Sequence, residues 1–259
     1  MKLTQKIYHT LLNTNLTGSK IKDFLKCKQY FAQLHIMHTI EKPHKDVWDL
    51  GSAVDAWLTR GKKAFLSEYI AVARRSKEKT PGITELTMKM YNDAVDMCET
   101  MEDQPAYKAL ASHDAQVIIQ TDMEIGKHFT GLSFMLDWLK IEGDTAIITD
   151  LKTSAETDAR RWSYKCEDFG YYMQFAVARV ILQKNHPKLK KFVYRHLVID
   201  KTEDVKTPYT FIIDNERVEM AVKYLLDTVI PAISNETEFS PKMVTWEEAE
   251  VVGEINQDY

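Results

Sequence analysis

The stretch 131–153 constrains the fold of this chain more than any other segment. Its first apolar run is closed by Asp137, and a second run, 145–151, is closed by Asp150 and Lys152 after a short polar turn. Two apolar runs on either side of a glycine-containing turn predict a β-hairpin. The sequence therefore places two acids and a lysine at adjoining strand ends.

The spacing of Asp150 and Lys152 determines which way they face. Because successive side chains of a strand point to opposite faces, both residues face one side while Leu151 faces the core on the other. Two carboxylates with backbone or water oxygens suit a hard cation such as Mg²⁺ or Mn²⁺, and a nearby lysine can orient or activate the water that attacks a phosphodiester. On spacing alone, the alternative is a solvent-facing hairpin with ordinary surface charges.

Three further segments extend this pattern. The motif G-x(5)-D, followed thirteen residues later by D-L-K-T-S, resembles the catalytic motifs of the PD-(D/E)XK nuclease superfamily, most closely those of the RecE-like and lambda-exonuclease-like phage exonucleases. The segment GYYMQFAVARVIL (170–182) resembles the tyrosine and glutamine helix of that group, and LTGSKIKDFLKCKQYF and WDLGSAVDAWL resemble its two N-terminal helices. The resemblance covers most of 16–213.

The resemblance implies a metal-dependent active site. Asp137 and Asp150 are expected to bind the metal, and Lys152 is expected to be the catalytic lysine. Asp55 stands where the group usually has the histidine of G-x-x-x-H, and a carboxylate there suits Mg²⁺ as well as or better than an imidazole. The alternative for Asp55 is an acid stabilised by the dipole at the N-terminus of its own helix.

The helix that carries the segment 170–182 is expected to support this site. Gln174 and Tyr171 are three residues apart and so share a helix face. An amide near the metal carboxylates can donate to a ligand or to the scissile phosphate, so Gln174 is expected to be a catalytic residue, while Tyr171 can reach the same phosphate or stack on a base. Ala178 stands where the group often has a second tyrosine, which argues against a role for that position.

The charge of the chain limits how it can hold DNA. The formal net charge is −4, so the field of the whole protein does not attract a polyanion, and a DNA surface has to be a local basic groove. Candidate DNA-binding residues are Lys20, Lys22 and Lys26 on the first predicted helix, with Arg160 and Arg161 after the active strand. The alternative for both groups is a solvated charged face.

Hydrophobic periodicity predicts the order of the elements. The predicted helices are 19–37, one beginning near 49–51, 85–101, 163–183 and 214–233, and the predicted strands are 116–123, 129–139, 145–151, 192–199 and 208–213. The order contains an α-β-β-β-α-β core, so we expect a mixed α/β (α+β) fold, with a restriction-endonuclease-like central mixed sheet flanked by helices and with added N-terminal helices. We expect a single domain over 1–259, with a helical N-terminal region over 1–110, a catalytic core over 111–213 and a C-terminal helix and tail over 214–259.

The leading functional hypothesis is an Mg²⁺-dependent DNA exonuclease, with Mn²⁺ able to substitute, that digests one strand of linear double-stranded DNA for phage-type recombination. The expected partners are double-stranded DNA, copies of the same chain in a ring of three or four, and a single-strand annealing recombinase. No run approaches eighteen apolar residues, so we expect no membrane association and a cytoplasmic location, in the bacterial host if the protein is phage-encoded. The alternatives are a nicking or restriction-like endonuclease and a non-catalytic DNA-binding protein with the nuclease fold.

Overall fold

The computed structural model describes residues 14–76, 80–202 and 206–235, and the tail predicted over 241–259 lies outside them. The helices are α1 (Gly18–Lys26), α2 (Lys28–His35), α3 (Asp46–Arg60), α4 (Lys62–Glu68), α5 (Met88–Glu102), α6 (Pro105–Lys108), α7 (Ala159–Asp168), α8 (Tyr171–Asn185), α9 (Asn215–Tyr224) and α10 (Ile230–Asn235). The strands are β1 (Asn15–Leu16), β2 (Tyr69–Val72), β3 (Thr84–Thr87), β4 (Asp114–Ile125), β5 (Phe129–Glu142), β6 (Thr145–Ser154), β7 (Lys191–Asp200) and β8 (Pro208–Ile212). None of the described helices has the length and apolar character needed to cross a membrane.

The main sheet is mixed and has six strands. One edge of β5 pairs with β4, and the other edge pairs with β6 and the short β1. β6 runs parallel to β7, and β8 pairs antiparallel with β7. Because parallel neighbours need a crossover connection, α7 and α8 link β6 to β7. The arrangement confirms the predicted α/β fold with a restriction-endonuclease-like mixed sheet.

Helices cover both faces of this sheet and form two buried clusters. One cluster contains Phe24 of α1 and Ile181 of α8. The other contains Val54 of α3 and Met97 of α5. Leu151 of β6 belongs to the second cluster, so its side chain is buried while its two neighbours face elsewhere. This burial fixes which face of β6 carries the chemically active side chains.

Two predicted helices are interrupted in the structure. The helix predicted over 163–183 is split into α7 and α8 at Gly170, whose left-handed φ of 65° is open to glycine without strain. The helix predicted over 19–37 is split at Cys27, whose extended backbone ends α1 and whose sulfur accepts the amide of Tyr30 in α2. The prediction of continuous helices was wrong at both places. Hydrophobic periodicity indicates which residues are buried, but it does not indicate where a capping residue ends one helix and begins the next.

A second sheet of two parallel strands, β2 and β3, was not predicted. β3 occupies the region where periodicity predicts the start of the helix 85–101. That helix, α5, begins later because Thr87 caps it: its hydroxyl accepts the amide of Met90. The N-terminal region predicted as helical therefore contains short strands as well as helices.

Candidate active site

The pairing of β5 with β6 ends where two of the predicted acids stand. The last paired residues are Trp138 and Thr149, so the remainder of β6 separates from β5. Asp137 and Asp150 lie directly beyond this pair. The amide of Leu151 donates to Oδ2 of Asp137 at 2.7 Å, so a side chain takes the place of the backbone partner that β5 no longer provides.

A cavity of about 640 Å³ opens beside the separated strands. Four residues predicted for the metal and for catalysis line it: Asp55, Asp137, Asp150 and Lys152. The lining also includes Lys22, Trp48, Lys165, Phe169, Tyr171 and Lys201. The structure thus gathers into one cavity residues that lie far apart in the sequence.

Asp55 reaches the cavity from α3. One turn earlier, Gly51 lies close to β6, because a Cβ added to it would be 3.6 Å from Oγ1 of Thr153. Gln116 of β4 donates from Nε2 to both carboxylate oxygens of Asp55 at 3.3 Å. The close approach of the helix and this hydrogen bond position the carboxylate at the wall of the cavity.

Burial and the neighbouring carboxylates raise the pKa of Asp55 and of Asp137. Burial raises the pKa of Asp55 to about 6, against the opposing charge of Arg60 and with a further contribution from Asp150. Burial also raises the pKa of Asp137 well above its usual range, and Asp150 and Asp55 add to the effect. With all three acids ionised the site carries excess negative charge, and this charge, like burial, opposes the ionisation of Asp55 and Asp137.

Lys152 supplies a positive charge to this site. Its ammonium forms an ion pair with Asp150 and lies 5.0 Å from the centre of the Tyr171 ring. Burial opposes the charged form, but Asp150 and Asp137 outweigh it, so the pKa of Lys152 is raised. Lys152 is therefore cationic at neutral pH and can act only as a hydrogen-bond donor.

The donor set fits a divalent metal ion. Asp55, Asp137 and Asp150 present hard carboxylate oxygens from three different elements around one cavity, and these are the ligands that Mg²⁺ and Mn²⁺ prefer. Lys152 alone does not balance three acids, and this imbalance adds to the burial that raises the pKa of Asp55 and of Asp137. A bound cation would relieve it.

A tighter group of one histidine and two acids lies outside this cavity and is paired with an arginine. His44, Asp46 and Asp49 place one ligand atom each within 4.8 Å of one another. Arg75 lies 2.7 Å from Asp46 and 2.9 Å from Asp49. Because the Arg75 guanidinium forms ion pairs with both carboxylates, the group is a structural ion-pair network.

The other predicted residues on the crossover helices have different environments. Tyr171 lines the cavity. Gln174 is half-buried and packs at the start of α1, where its Cγ is 3.4 Å from the position of a Cβ on Gly18, and it is not part of the cavity lining. Arg160 and Arg161 are exposed in the first turn of α7, also outside the lining. Catalytic and DNA-binding roles for these three residues remain predictions.

The three lysines predicted on the first helix do not share one face. Lys20 is buried, donates from Nζ to the carbonyl of Asn15 at 3.0 Å and lies 4.8 Å from the centre of the Phe129 ring. Burial lowers the pKa of Lys20 to about 8. Lys22 lines the cavity, and Lys26 is exposed at the end of α1. Of the three, Lys22 is the one that faces the acidic residues.

His196 of β7 lies beside Asp150, behind the lining of the cavity, and no sequence pattern indicated it. It is the direct neighbour of Asp150 in the parallel register, and its Nε2 lies 3.5 Å from Oδ2 of Asp150. Trp162 of α7 donates from Nε1 to Nδ1 of His196 at 3.2 Å. Burial lowers the pKa of His196 to about 4, so the ring is neutral, and the bond from Trp162 to Nδ1 leaves its proton on Nε2, which lies near Asp150 without a hydrogen bond to it.

The antiparallel succession β4–β5–β6, the crossover helices and the D-x-K sequence at the end of β6 together define a PD-(D/E)XK nuclease fold. The chain belongs to the family described as the PDDEXK-like domain of unknown function (DUF3799), whose model matches residues 17–238.

A solved structure has a similar fold. A candidate exonuclease from Eubacterium rectale is similar to this chain with a TM-score of 0.65 and 16% identity, over 92% of this chain and 89% of that protein. The structure of SSO0001 gives a TM-score of 0.29 at 11% identity, over 85% of each chain, which is too low to support any conclusion. The search of curated proteins found no significant match.

Proposed function

We propose that this protein is a metal-dependent deoxyribonuclease. The observation that carries the proposal is the cavity that Asp55, Asp137 and Asp150 line together with the cationic Lys152. This combination provides oxygen ligands for a hard cation and a fixed hydrogen-bond donor beside them. Membership of the PD-(D/E)XK superfamily supports DNA as the substrate.

Each residue has a distinct role in the proposal. Asp137 and Asp150, completed by Asp55, would hold one or two Mg²⁺ ions, for which Mn²⁺ could substitute. A bound divalent ion supplies Lewis-acid polarisation of the phosphoryl oxygen. Lys152 donates to the attacking water, orients it and balances the charge that develops on the phosphate. Tyr171, whose ring contacts the Lys152 ammonium, would contact the same phosphate.

The finer proposal is an exonuclease that digests one strand of linear double-stranded DNA during phage-type recombination. Two observations support it: the resemblance of the motifs to RecE-like and lambda-exonuclease-like enzymes, and the fold similarity to a candidate exonuclease. A single-strand annealing recombinase would then take up the strand that is left, and the enzyme would act in the cytoplasm. Gln174 supports the site from the helix that also carries Tyr171.

A closed ring of three or four copies is a further element of the same proposal. A chain with a net charge of −4 has little long-range attraction for DNA, yet an end-dependent exonuclease has to remain attached through many cuts. Enclosure of the duplex by several subunits provides retention without high affinity. Lys22, in the cavity, and Arg160 and Arg161, exposed at the start of α7, are the candidates for the basic surface that faces the duplex.

Incubation with end-labelled linear duplex, covalently closed circular duplex and nicked circular duplex tests the proposal. We expect mononucleotide or short products from the linear substrate with Mg²⁺, no products with EDTA and an intact closed circle. Linearisation or nicking of the closed circle would instead identify an endonuclease. Absence of cleavage of every substrate across a titration of Mg²⁺ and Mn²⁺, with DNA binding retained, would identify a non-catalytic DNA-binding protein.

A matched pair of lysine variants separates the active site from general surface charge. Lys152→Ala removes the donor inside the cavity, whereas Lys223→Ala removes an exposed lysine of α9 that does not line it. We expect the first variant to lose cleavage and the second to keep it. Equal activity in the two variants would refute the assignment of the cavity as the active site.

A further inference from the structure

Gln116 of β4 has a backbone conformation that residues other than glycine rarely adopt. Its φ is 50°, in the left-handed region, and in the described part of the chain His38 is the one other non-glycine residue with a positive φ. Such a conformation costs free energy and persists where the surrounding structure maintains it, often at a functional site. A second cost falls on the same residue, because Oε1 of Gln116 is buried and accepts no hydrogen bond from the described residues. Two unfavourable features at one residue indicate a functional constraint.

The left-handed residue of β4 stands across the sheet from the metal-ligand candidate Asp137. The register of β4 and β5 pairs Ala115 with Trp138. It next pairs Val117 with Leu136 and forms no pair between these two. The pairing of β5 with β6 also ends at Trp138. Asp137 therefore has no paired residue on either of these two neighbouring strands.

Both strands change the face that they present at this point. In a regular strand, residues two positions apart lie on the same face. Ala115 instead lines a cavity with Leu58 of the second buried cluster, whereas Val117 packs against the first cluster. On β5, Trp138 belongs to the second cluster and Leu136 to the first. The change of face falls at the left-handed residue, whose altered backbone direction accounts for it.

The altered backbone directs the amide of Gln116 to the helix that carries Asp55. Its Nε2 donates to both carboxylate oxygens of Asp55 at 3.3 Å and to Oγ1 of Thr59 at 2.9 Å. The Thr59 hydroxyl in turn donates to the backbone carbonyl of Asp55 at 2.6 Å. Because an ionised carboxylate only accepts hydrogen bonds, the amide has to present its nitrogen to Asp55. One side chain of β4 thus restrains the Asp55 carboxylate and the turn of α3 on which it stands.

We propose that Gln116 is a positioning residue of the metal site, which holds the Asp55 carboxylate in the cavity that Asp137 also lines. The inference deepens the proposed nuclease function and rests on its metal site. Groups that form hydrogen bonds with metal ligands fix the orientation of those ligands, and their loss lowers metal affinity by about tenfold or more. Gln116 does not line the cavity, so it acts through Asp55 and does not contact the metal or the phosphate.

Mg²⁺ binding to the protein without DNA, measured by isothermal titration calorimetry, tests the inference. Gln116→Met keeps the length of the side chain and removes the donor, so we expect it to weaken Mg²⁺ binding about tenfold. Gln116→Gly also removes the donor but adopts a left-handed backbone without strain, and it covers the case in which the methionine variant does not fold. His38→Gly is the matched control, because it changes the other left-handed residue, which is exposed and outside the cavity, and its Mg²⁺ binding should equal that of the wild-type protein.

A double-mutant cycle separates positioning of Asp55 from general support of the fold. In the Asp55→Ala background the carboxylate that Gln116 restrains is absent, so adding Gln116→Met should weaken Mg²⁺ binding no further. A residue that only supports the fold would weaken binding by the same factor in both backgrounds. That result, or Gln116→Met and Gln116→Gly proteins that bind Mg²⁺ as tightly as the wild-type protein, would overturn the inference.

Cleavage assays separate this inference from the proposed function. In Gln116→Met, the Mg²⁺ concentration needed for half-maximal cleavage should rise about tenfold, a larger change than that in the rate at saturating Mg²⁺. Mg²⁺ binding that depends on Gln116 in a protein that cleaves no DNA would refute the nuclease proposal and preserve the positioning role. Cleavage whose Mg²⁺ requirement is the same in the wild-type protein and in both Gln116 variants would refute the positioning role and preserve the nuclease.

Discussion

Removal of one negative charge at Asp55 should stabilise the metal-free protein. Asp55→Asn keeps the size of the side chain and an oxygen that can accept from Nε2 of Gln116, which donates to both carboxylate oxygens at 3.3 Å in the wild-type protein. The substitution removes the negative charge of the Asp55 carboxylate, which burial and the nearby Asp150 destabilise. The same change should weaken metal binding, because an amide oxygen is a poorer ligand for Mg²⁺ than a carboxylate.

The size of the effect follows from the pKa of Asp55. In the folded protein this pKa rises from 3.8 to about 6, and each pKa unit corresponds to about 1.4 kcal/mol. Ionised Asp55 therefore lowers the free energy of unfolding by about 3 kcal/mol at pH 7.5. Asp55→Asn should recover most of this amount, which raises the midpoint of thermal unfolding by roughly 6 to 12 °C for a chain of this size.

The direction of the pH dependence is also fixed. Because the folded-state pKa lies above the unfolded-state value, the penalty is absent below pH 3.8, where Asp55 is protonated in both states, and it grows until the pH exceeds 6. The advantage of Asp55→Asn should therefore shrink from about 3 kcal/mol at pH 7.5 to about 1 kcal/mol at pH 4.5.

Urea unfolding in EDTA at these two pH values measures the effect. Asp96→Asn is the control, since Asp96 is exposed on α5, outside the cavity. In a second series of unfolding measurements, added Mg²⁺ should stabilise the wild-type protein more than Asp55→Asn, because a ligand stabilises the state that binds it. A variant that is no more stable than the wild-type protein at pH 7.5, or equally stabilised at both pH values, would refute the electrostatic argument.

Three further outcomes are expected. Asp150→Ala and Lys152→Ala should each reduce cleavage at least about 10²-fold with thermal unfolding still cooperative, because each removes a positioned group while Leu151 stays in the core; near-wild-type rates would refute their roles. His196→Leu should weaken Mg²⁺ binding, measured by calorimetry, more than His196→Gln, which keeps a polar group beside Asp150, and identical titrations would make His196 a packing residue. Light scattering should give three or four times the 30.0 kDa chain mass, and a strictly monomeric processive enzyme would contradict the ring.

The hairpin and its charged ends were predictable because the information is local. Strand alternation alone puts Asp150 and Lys152 on one face and Leu151 on the other, and the structure has Leu151 buried between them. Asp137 precedes Asp150 by only thirteen residues, so one turn brings them together. The three strands 116–123, 129–139 and 145–151 were located correctly, although each extends further in the structure.

The contributions of distant residues were not predictable from local pattern. His196 joins the site because β7 lies parallel to β6 in a register that pairs it with Asp150, and no periodicity within either strand specifies that register. Lys20 faces inward because its ammonium donates a hydrogen bond to the carbonyl of Asn15. This interaction depends on the path of the chain before α1. A prediction based on charge alone therefore placed Lys20 and Lys22 on the same basic face.

The position of the site follows from a single interruption in the sheet. If β6 continued to pair with β5 beyond Thr149, the amide of Leu151 would be bonded to the backbone of β5, and the side chain of Asp137 would lose that donor. Separation of the strands frees one oxygen-rich edge, and Asp55 can then approach from α3 on one face of the sheet while Tyr171 approaches from α8 on the other. A substitution that restored pairing there would close the cavity without touching any carboxylate, so strand separation is as necessary to the proposed chemistry as the acids themselves.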